Sequence, residues 1–461
     1  MTLPWLGDAC SLVDAMRAGD VSPLEAVDSC LDAIQASQLN AFSHLDPDAA
    51  RVAARDADPS LPFGGLPIGV KELEQAEGWP DTHASVALKD RTAPVDSIQV
   101  ARLRAAGAIP LGLTTASEFG FVGYTSTKLN GTTRNPWNHQ RTPGGSSGGS
   151  AATVAGGVVP LATASDGGGS IRIPAGFCGL VGLKTTGGRI PRGPNSGFGT
   201  LTSVVGCVSR SVRDTARWLD VCNGYDHRDP YSLPRTEGWE AGLGRHNLKG
   251  LRAVVNIDLG KATVHPEVAA MVQRAAAQLI DDAGLEQVDV AIDLPDSGVD
   301  WALAGLPGLV GTVGDLWPEH ADDFTFEIRY GLEHAKYFRA RHAAGGETYR
   351  SAVVAEMARI FDQTDLLICA TNPYEAFAAE GPSPRYVGEV KVDPYTAGTL
   401  TRAGNISGHP AISIPVGTTA SGLPVGLQVY TNRFDEARLL DLALAVERAR
   451  PWPLVAPGTP L

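Results

Sequence analysis

Two blocks of glycine and serine, Gly144-Gly145-Ser146-Ser147-Gly148-Gly149-Ser150 and Gly167-Gly168-Gly169-Ser170, constrain this chain more than anything else in it. Three consecutive glycines strip every Cβ from a short run of backbone, so several N–H groups can be aimed at one point. The second block follows Asp166 and an apolar run, Val158 to Thr163, that reads as a strand. A serine directly after such a nest stands as a nucleophile beside its own oxyanion hole. A tight turn would use the same glycines, so the run alone does not decide. The first block reads against a flexible linker, because Arg134-Asn135-Pro136-Trp137 and Pro160-Leu161-Ala162 on its flanks have the texture of packed protein. A phosphate loop needs Lys and then Ser or Thr after its glycines, and here Ala151 follows Ser150. Gly144 to Gly148 does match G-x-S-x-G, but a nucleophile elbow needs a strand directly before it, and Asn138 to Pro143 is a polar loop. The downstream histidine such a triad would use, His409 before Pro410, reads as a loop residue.

Strands and helices alternate around these blocks, which predicts an α/β sheet. The first 60 residues (1–60) read as helices. There Ser22-Pro23-Leu24-Glu25 spells a capping box with proline at the first helical position, and Leu24, Val27, Leu31 and Ile34 recur at helical spacing. Ile68 to Lys71 reads as a short buried strand, 97–107 as a helix closed by Gly107, and 108–114 as a strand. Residues 120–150 form a long loop, followed by a small-residue helix over 151–157. Strands are expected at 251–256, 366–369, 411–414 and 425–429, and helices at 265–283, 345–361 and 435–448. We expect a single domain over 1–461, with about 225–360 as a more variable inserted or cap region. A serine nucleophile needs a base, and Lys71 can act as one only when neutral. Burial at an apolar strand end, among Leu66, Ile68, Val70 and Leu73, disfavours the ammonium; a surface lysine beside Glu72 is the alternative.

Composition narrows the partners. The formal net charge of −13 argues against nucleic acid and anionic membranes, both of which need clustered cations. Six scattered cysteines without a C-x-x-C pair fit reduced, buried thiols. The N-terminus lacks the basic and apolar regions of a signal peptide, and no apolar run reaches the roughly 18 residues of a membrane span. A cytoplasmic monomer or homodimer acting on a small molecule, without metal or cofactor, is the expectation.

The run Gly144 to Ala152, then Asp166-Gly-Gly-Gly-Ser-Ile-Arg-Ile-Pro174, Phe177-Cys178-Gly179 and Gly182-Leu183-Lys184, closely resembles the amidase-signature family. The resemblance extends to Leu66 to Lys71, Thr133 to Asn138, Val208 to Ser211, Asn405 to Pro410 and Gly422 to Gln428, nearly the whole chain. It implies a central twisted mixed β-sheet covered by helices on both faces. It also implies that Lys71 is the general base, that Ser146 follows a cis peptide from Gly145 and relays the proton, and that Ser170 is the nucleophile. Amides of Gly167, Gly168, Gly169 and Ser170 would form the oxyanion hole, with Ser147, Asp166 and Arg172 orienting the site. Three positions depart from the usual pattern: Leu113-Thr114-Thr115 where Lys-Thr-Asn is common, Ala164-Ser165-Asp166 where Gly-Thr-Asp is, and Glu72 where Asp is usual. None removes a catalytic group. In length and motif placement the chain is also similar to urethanases of this family, so amides and carbamates of aryl or alkyl compounds both stand as substrates. The loop 119–128, with Phe119, Gly120 and Tyr124, and the middle segment with Trp301, Leu306, Leu309 and Trp317 are apolar enough to line a pocket. The other readings are a glutaminase subunit of a tRNA amidotransferase and a catalytically silent binding member of the family.

Overall fold

The computed structural model describes residues 4–194, 201–296, 303, 305–393 and 398–459. Among these, eleven strands build one mixed sheet. They are β1 (Phe42–Leu45), β2 (Pro67–Lys71), β3 (Ile109–Thr114), β4 (Leu161–Asp166), β5 (Val181–Lys184), β6 (Val204–Ser209), β7 (Arg252–Val255), β8 (Glu286–Gln287), β9 (Leu366–Ala370), β10 (Ala411–Thr418) and β11 (Pro424–Thr431). Across the sheet the order is β1-β3-β2-β4-β6-β5-β10-β11-β9-β7-β8. The β2/β3, β2/β4, β9/β7 and β7/β8 pairs are parallel and the remainder antiparallel.

Side chains alternate across a strand, and both faces of the sheet's central strands are buried. On β4, Leu161 joins one apolar cluster and Ala162 another; on β6, Cys207 and Val208 divide in the same way. One face is covered by helices Pro23–Ala36, Pro47–Arg55, Gly148–Ala155 and Arg172–Cys178. The other is covered by Ala9–Ala18, Val212–Cys222, Pro266–Ala283 and Glu436–Ala449, among others. This is the α/β architecture expected. The Ser22 capping box forms, with Glu25 N donating to Ser22 Oγ and Ser22 N to the Glu25 carboxylate.

Several expectations need correction. The first 60 residues are not all helical: Phe42–Leu45 pairs antiparallel with β3 as an edge strand. The 97–107 helix is shorter, Ile98–Ala105, started by Ser97 and followed by a turn at Gly107 with φ +88°. The small-residue helix begins earlier, at Gly148, and the strand after it later, at Leu161. The segment 225–360 divides in use. Strands β7 and β8 and helix Pro266–Ala283 extend the main sheet and its cover. Helices Leu306–Val313 and Phe326–Ala335 pack into a separate apolar cluster with Leu88, Phe324 and Phe119.

Candidate active site

Pairing of Ile68 with Leu161 and Gly69 with Ala162 sets two parallel strands side by side, and their carboxyl ends bring Lys71 next to Ser165 and Asp166. Such strand ends are where open α/β sheets build sites. Helix Gly148–Ala155 then lays its amino end across them, carrying Ser146 and Ser147. The Gly145–Ser146 peptide is cis. Gly145 is threaded so close to the preceding loop that a Cβ would sit 2.5 Å from Tyr124 N, which only glycine tolerates.

Lys71 is fully buried. Its Nζ lies 2.8 Å from Ser146 Oγ, 2.8 Å from Ser147 Oγ and 2.9 Å from Ser165 Oγ. A neutral amine donates two hydrogens and accepts one. Ser147 commits its own hydrogen to the Ser165 carbonyl at 3.3 Å and so takes one from the amine. The lone pair is left for another hydroxyl of the trio, and Ser146 is in reach. Desolvation pulls the Lys71 amine down to about 7, against the opposing pull of Glu74, Asp166 and Glu72. It is therefore substantially uncharged at neutral pH.

Ser170 follows the glycine nest on the way into helix Arg172–Cys178 and is partly exposed, as are Gly167 and Gly168. Asp166 and Arg172 are both fully buried and paired twice, Nε to Oδ2 at 2.9 Å and an Nη to Oδ1 at 3.1 Å. Burial alone would raise the Asp166 carboxyl, but the Arg172 charge and the hydrogen bonds of Arg172 and Asn405 hold it far below the usual carboxylate range. The Gly169 amide donates to Asp166 Oδ1 at 2.6 Å, so it is already engaged. Among the described residues no protein acceptor takes the amides of Gly167, Gly168 or Ser170.

The substrate-side residues fall into different places. Gly120 lies against Ser146, where a Cβ would stand 3.3 Å from Oγ. Phe119 stacks on His83 and packs against Phe324 and the Leu309–Leu332 cluster. Tyr124 is buried and its hydroxyl donates to Glu327 at 2.6 Å. Phe121, between them in sequence, keeps an apolar face open at 44% exposure. Leu306, Leu309 and Trp317 sit with or beside the cluster; Trp301 lies outside the described residues. Sequence reasoning assigned no role to Ser165, Glu74 or Thr401. Ser165 was legible only as a departure from a motif, and a lone threonine on a helix carries no pattern at all. Among the described residues no group of three metal-type ligands occurs, and no helix is long and apolar enough to cross a membrane.

Comparison with known proteins finds relatives over nearly the whole chain. The family model described as Amidase matches residues 25–440. The chain is 33% identical to a glutamyl-tRNA(Gln) amidotransferase subunit from Bordetella avium (strain 197N), over 98% of each. Among solved structures, a bacterial aryl acylamidase of the amidase-signature enzymes superposes with a TM-score of 0.92 at 28% identity, covering 99% of both chains. A 6-aminohexanoate cyclic dimer hydrolase bound to its substrate superposes with a TM-score of 0.88 at 29% identity, again over 99% of both. A family model spanning most of the sequence and a full-length relative at that identity are sufficient: this chain belongs to the amidase-signature family, as a hydrolase or amidotransferase of that family.

Proposed function

We propose that this protein hydrolyses the C–N bond of small aryl or alkyl amides or carbamates through an acyl-enzyme on Ser170. The observation that carries the reading is the 2.8 Å contact between Ser146 Oγ and a fully buried Lys71 amine whose pKa is brought to about 7. Neutral Lys71 draws the hydroxyl proton of Ser146 as Ser146 takes that of Ser170, and Ser170 Oγ attacks the carbonyl carbon. Amides of Gly167, Gly168 and Ser170 hold the oxyanion, each such donor being worth on the order of 3 kcal/mol. Collapse breaks the C–N bond, and Ser146 returns a proton to the departing amine. Water then attacks the acyl-enzyme by the reverse path and releases the acid. From a carbamate the acyl group is an alkoxycarbonyl, which leaves as a monoester of carbonic acid and decomposes to alcohol and CO₂.

Support for an aryl or alkyl substrate comes from the open face of Phe121, the cluster behind Phe119, and the structural similarity to an aryl acylamidase and to a 6-aminohexanoate cyclic dimer hydrolase. A second reading, the glutaminase subunit of a tRNA amidotransferase working in a complex, is favoured by the Bordetella relative. Against it stands Leu113-Thr114-Thr115 in place of Lys-Thr-Asn. The test is turnover of anilides, primary amides, aryl carbamates and glutamine by the isolated chain, with Ser170→Ala and Lys71→Ala alongside. Both variants should fold and lose about a thousandfold or more in kcat. Near-normal turnover by Ser170→Ala overturns the proposal, and ammonia release from glutamine alone moves the assignment to the second reading.

A further inference from the structure

The peptide unit between Gly168 and Gly169 is gripped at both ends. Its N–H, on Gly169, donates to Asp166 Oδ1 at 2.6 Å, and its carbonyl, on Gly168, accepts from Thr401 Oγ1 at 2.6 Å. Thr401 is fully buried on helix Thr399–Ser407, more than two hundred residues along the chain from the nucleophile. Its hydroxyl also lies 3.2 Å from the Gly398 carbonyl, but one hydrogen serves one short bond, and the bond to Gly168 is the shorter. The backbone of Thr401 is fixed in turn, because its carbonyl accepts from Arg172 Nη1 at 2.9 Å while Arg172 holds Asp166. The contacts close a ring: Asp166 to the Gly169 amide, the Gly168 carbonyl to Thr401, Thr401 to Arg172, and Arg172 to Asp166. Gly169, at φ +133°, leaves no room for a Cβ, which would lie 2.4 Å from Thr401 Oγ1.

We infer that Thr401 is a positioning residue for the oxyanion hole. A peptide plane pinned by its carbonyl and its amide cannot rotate. The amides on either side of it, those of Gly168 and Ser170, then keep one direction before substrate arrives. Donors fixed in advance stabilise a developing oxyanion without reorganisation. The hydrogen bond to Asp166 alone leaves the plane free to swing about that one contact, and Thr401 removes that freedom. The ground-state carbonyl gains little from this, so the contribution falls on kcat rather than KM.

The inference rests on the proposed acyl-enzyme at Ser170, and its test separates the two. The rate of Ser170 phosphonylation by a fluorophosphonate needs the oxyanion hole but no knowledge of the substrate. We expect Thr401→Val, which keeps shape and removes the donor, to melt close to the unchanged chain and to be labelled about ten- to a hundredfold more slowly. Thr401→Ser, which keeps the hydroxyl, should restore most of the rate. With any substrate found, the Thr401→Val loss should appear in kcat with KM within about twofold. Labelling of Thr401→Val at the normal rate, or a Thr401→Ser as slow as Thr401→Val, overturns the positioning role while leaving Ser170 as nucleophile. Failure of the unchanged chain to be labelled at Ser170 overturns both.

Discussion

Lys71 owes its chemistry to a contest between burial and three carboxylates. Desolvation drives the amine down to about 7 while Glu74, Asp166 and Glu72 hold its proton on, Glu74 most strongly. Glu72 and Glu74 are themselves pushed up to about 7 by burial, so the set exchanges protons together around neutrality. Loss of the Lys71 proton creates the base, and kcat/KM should therefore rise with pH through about 7. Glu74→Gln removes the largest charge favouring the ammonium but keeps an oxygen for Gln99, whose amide now donates to both Glu74 oxygens at 3.1 and 3.0 Å. The rise in the pH–rate profile of this variant should move to lower pH; a profile that stays put or moves upward contradicts the account. Lys71 and Ser170 were legible as candidates in the sequence because an apolar strand end and a glycine run are local patterns, and Ser146 stood out only through the resemblance to the family. Glu74 and Ser165 were not. Ser165 reaches Lys71 through the pairing of Ile68 with Leu161, which no stretch of either strand announces, and Glu74 through a turn in which its N–H donates to the Lys71 carbonyl.

Three polar tethers fasten helix Phe326–Ala335 and the turn before it to the loop that wraps Ser146. Glu118 accepts from Thr325 N at 2.8 Å, Tyr124 donates to Glu327 at 2.6 Å, and Lys128 donates to the Asp322 carbonyl at 2.7 Å. Apolar contact of Phe119 and Phe324 backs them. An element held by few contacts opens locally at low cost, so losing one tether should be visible. Glu327→Ala should speed amide hydrogen exchange over 326–335 and raise KM, because the wall beside Phe121 is no longer held, with kcat nearly unchanged. Exchange at the normal rate would show that the apolar cluster alone secures the helix. Elements with strong local signals were the ones legible in sequence: the capping box at Ser22, the amphipathic helix over 266–283, and the strands at 366 and 425. Edge strand β1 was hidden by its half-exposed pattern in a helix-rich neighbourhood, β5 by its four-residue length and its glycine, and β6 by the glycine that interrupts its apolar run. These are held by register with partners remote in sequence, β5 with β10 and β1 with β3.

The sheet divides by sequence into two halves, β1 to β6 from residues 42–209 and β7 to β11 from residues 252–431, which meet in one ladder where Gly182, Leu183 and Lys184 pair with Ser413, Ile412 and Ala411. Arg172 is sewn across that seam. From the first half it holds Asp166; from the second it donates to the Thr401 carbonyl at 2.9 Å, Gln428 Oε1 at 2.8 Å and Asn405 Oδ1 at 2.7 Å. Removing one partner of a buried pair leaves the other uncompensated, at a cost of about 3–5 kcal/mol, whereas removing both costs far less. Arg172→Met should lower the free energy of unfolding in urea by roughly that amount, and should abolish activity because the nucleophile loop loses its anchor. The sign of the pH dependence follows from Asp166, whose pairing in the unaltered protein keeps its carboxyl depressed, so its stabilisation is present above the unfolded carboxylate range and is lost as pH falls below it. Without Arg172 the same carboxyl, still buried, takes a proton readily, and the deficit of the variant should narrow as pH falls. Asp166→Asn/Arg172→Met should be more stable at neutral pH than Arg172→Met alone and equally inactive. If the double variant is the less stable of the two, the seam is held by Arg172 contacts other than the one to Asp166, and the buried charge is not what couples the halves.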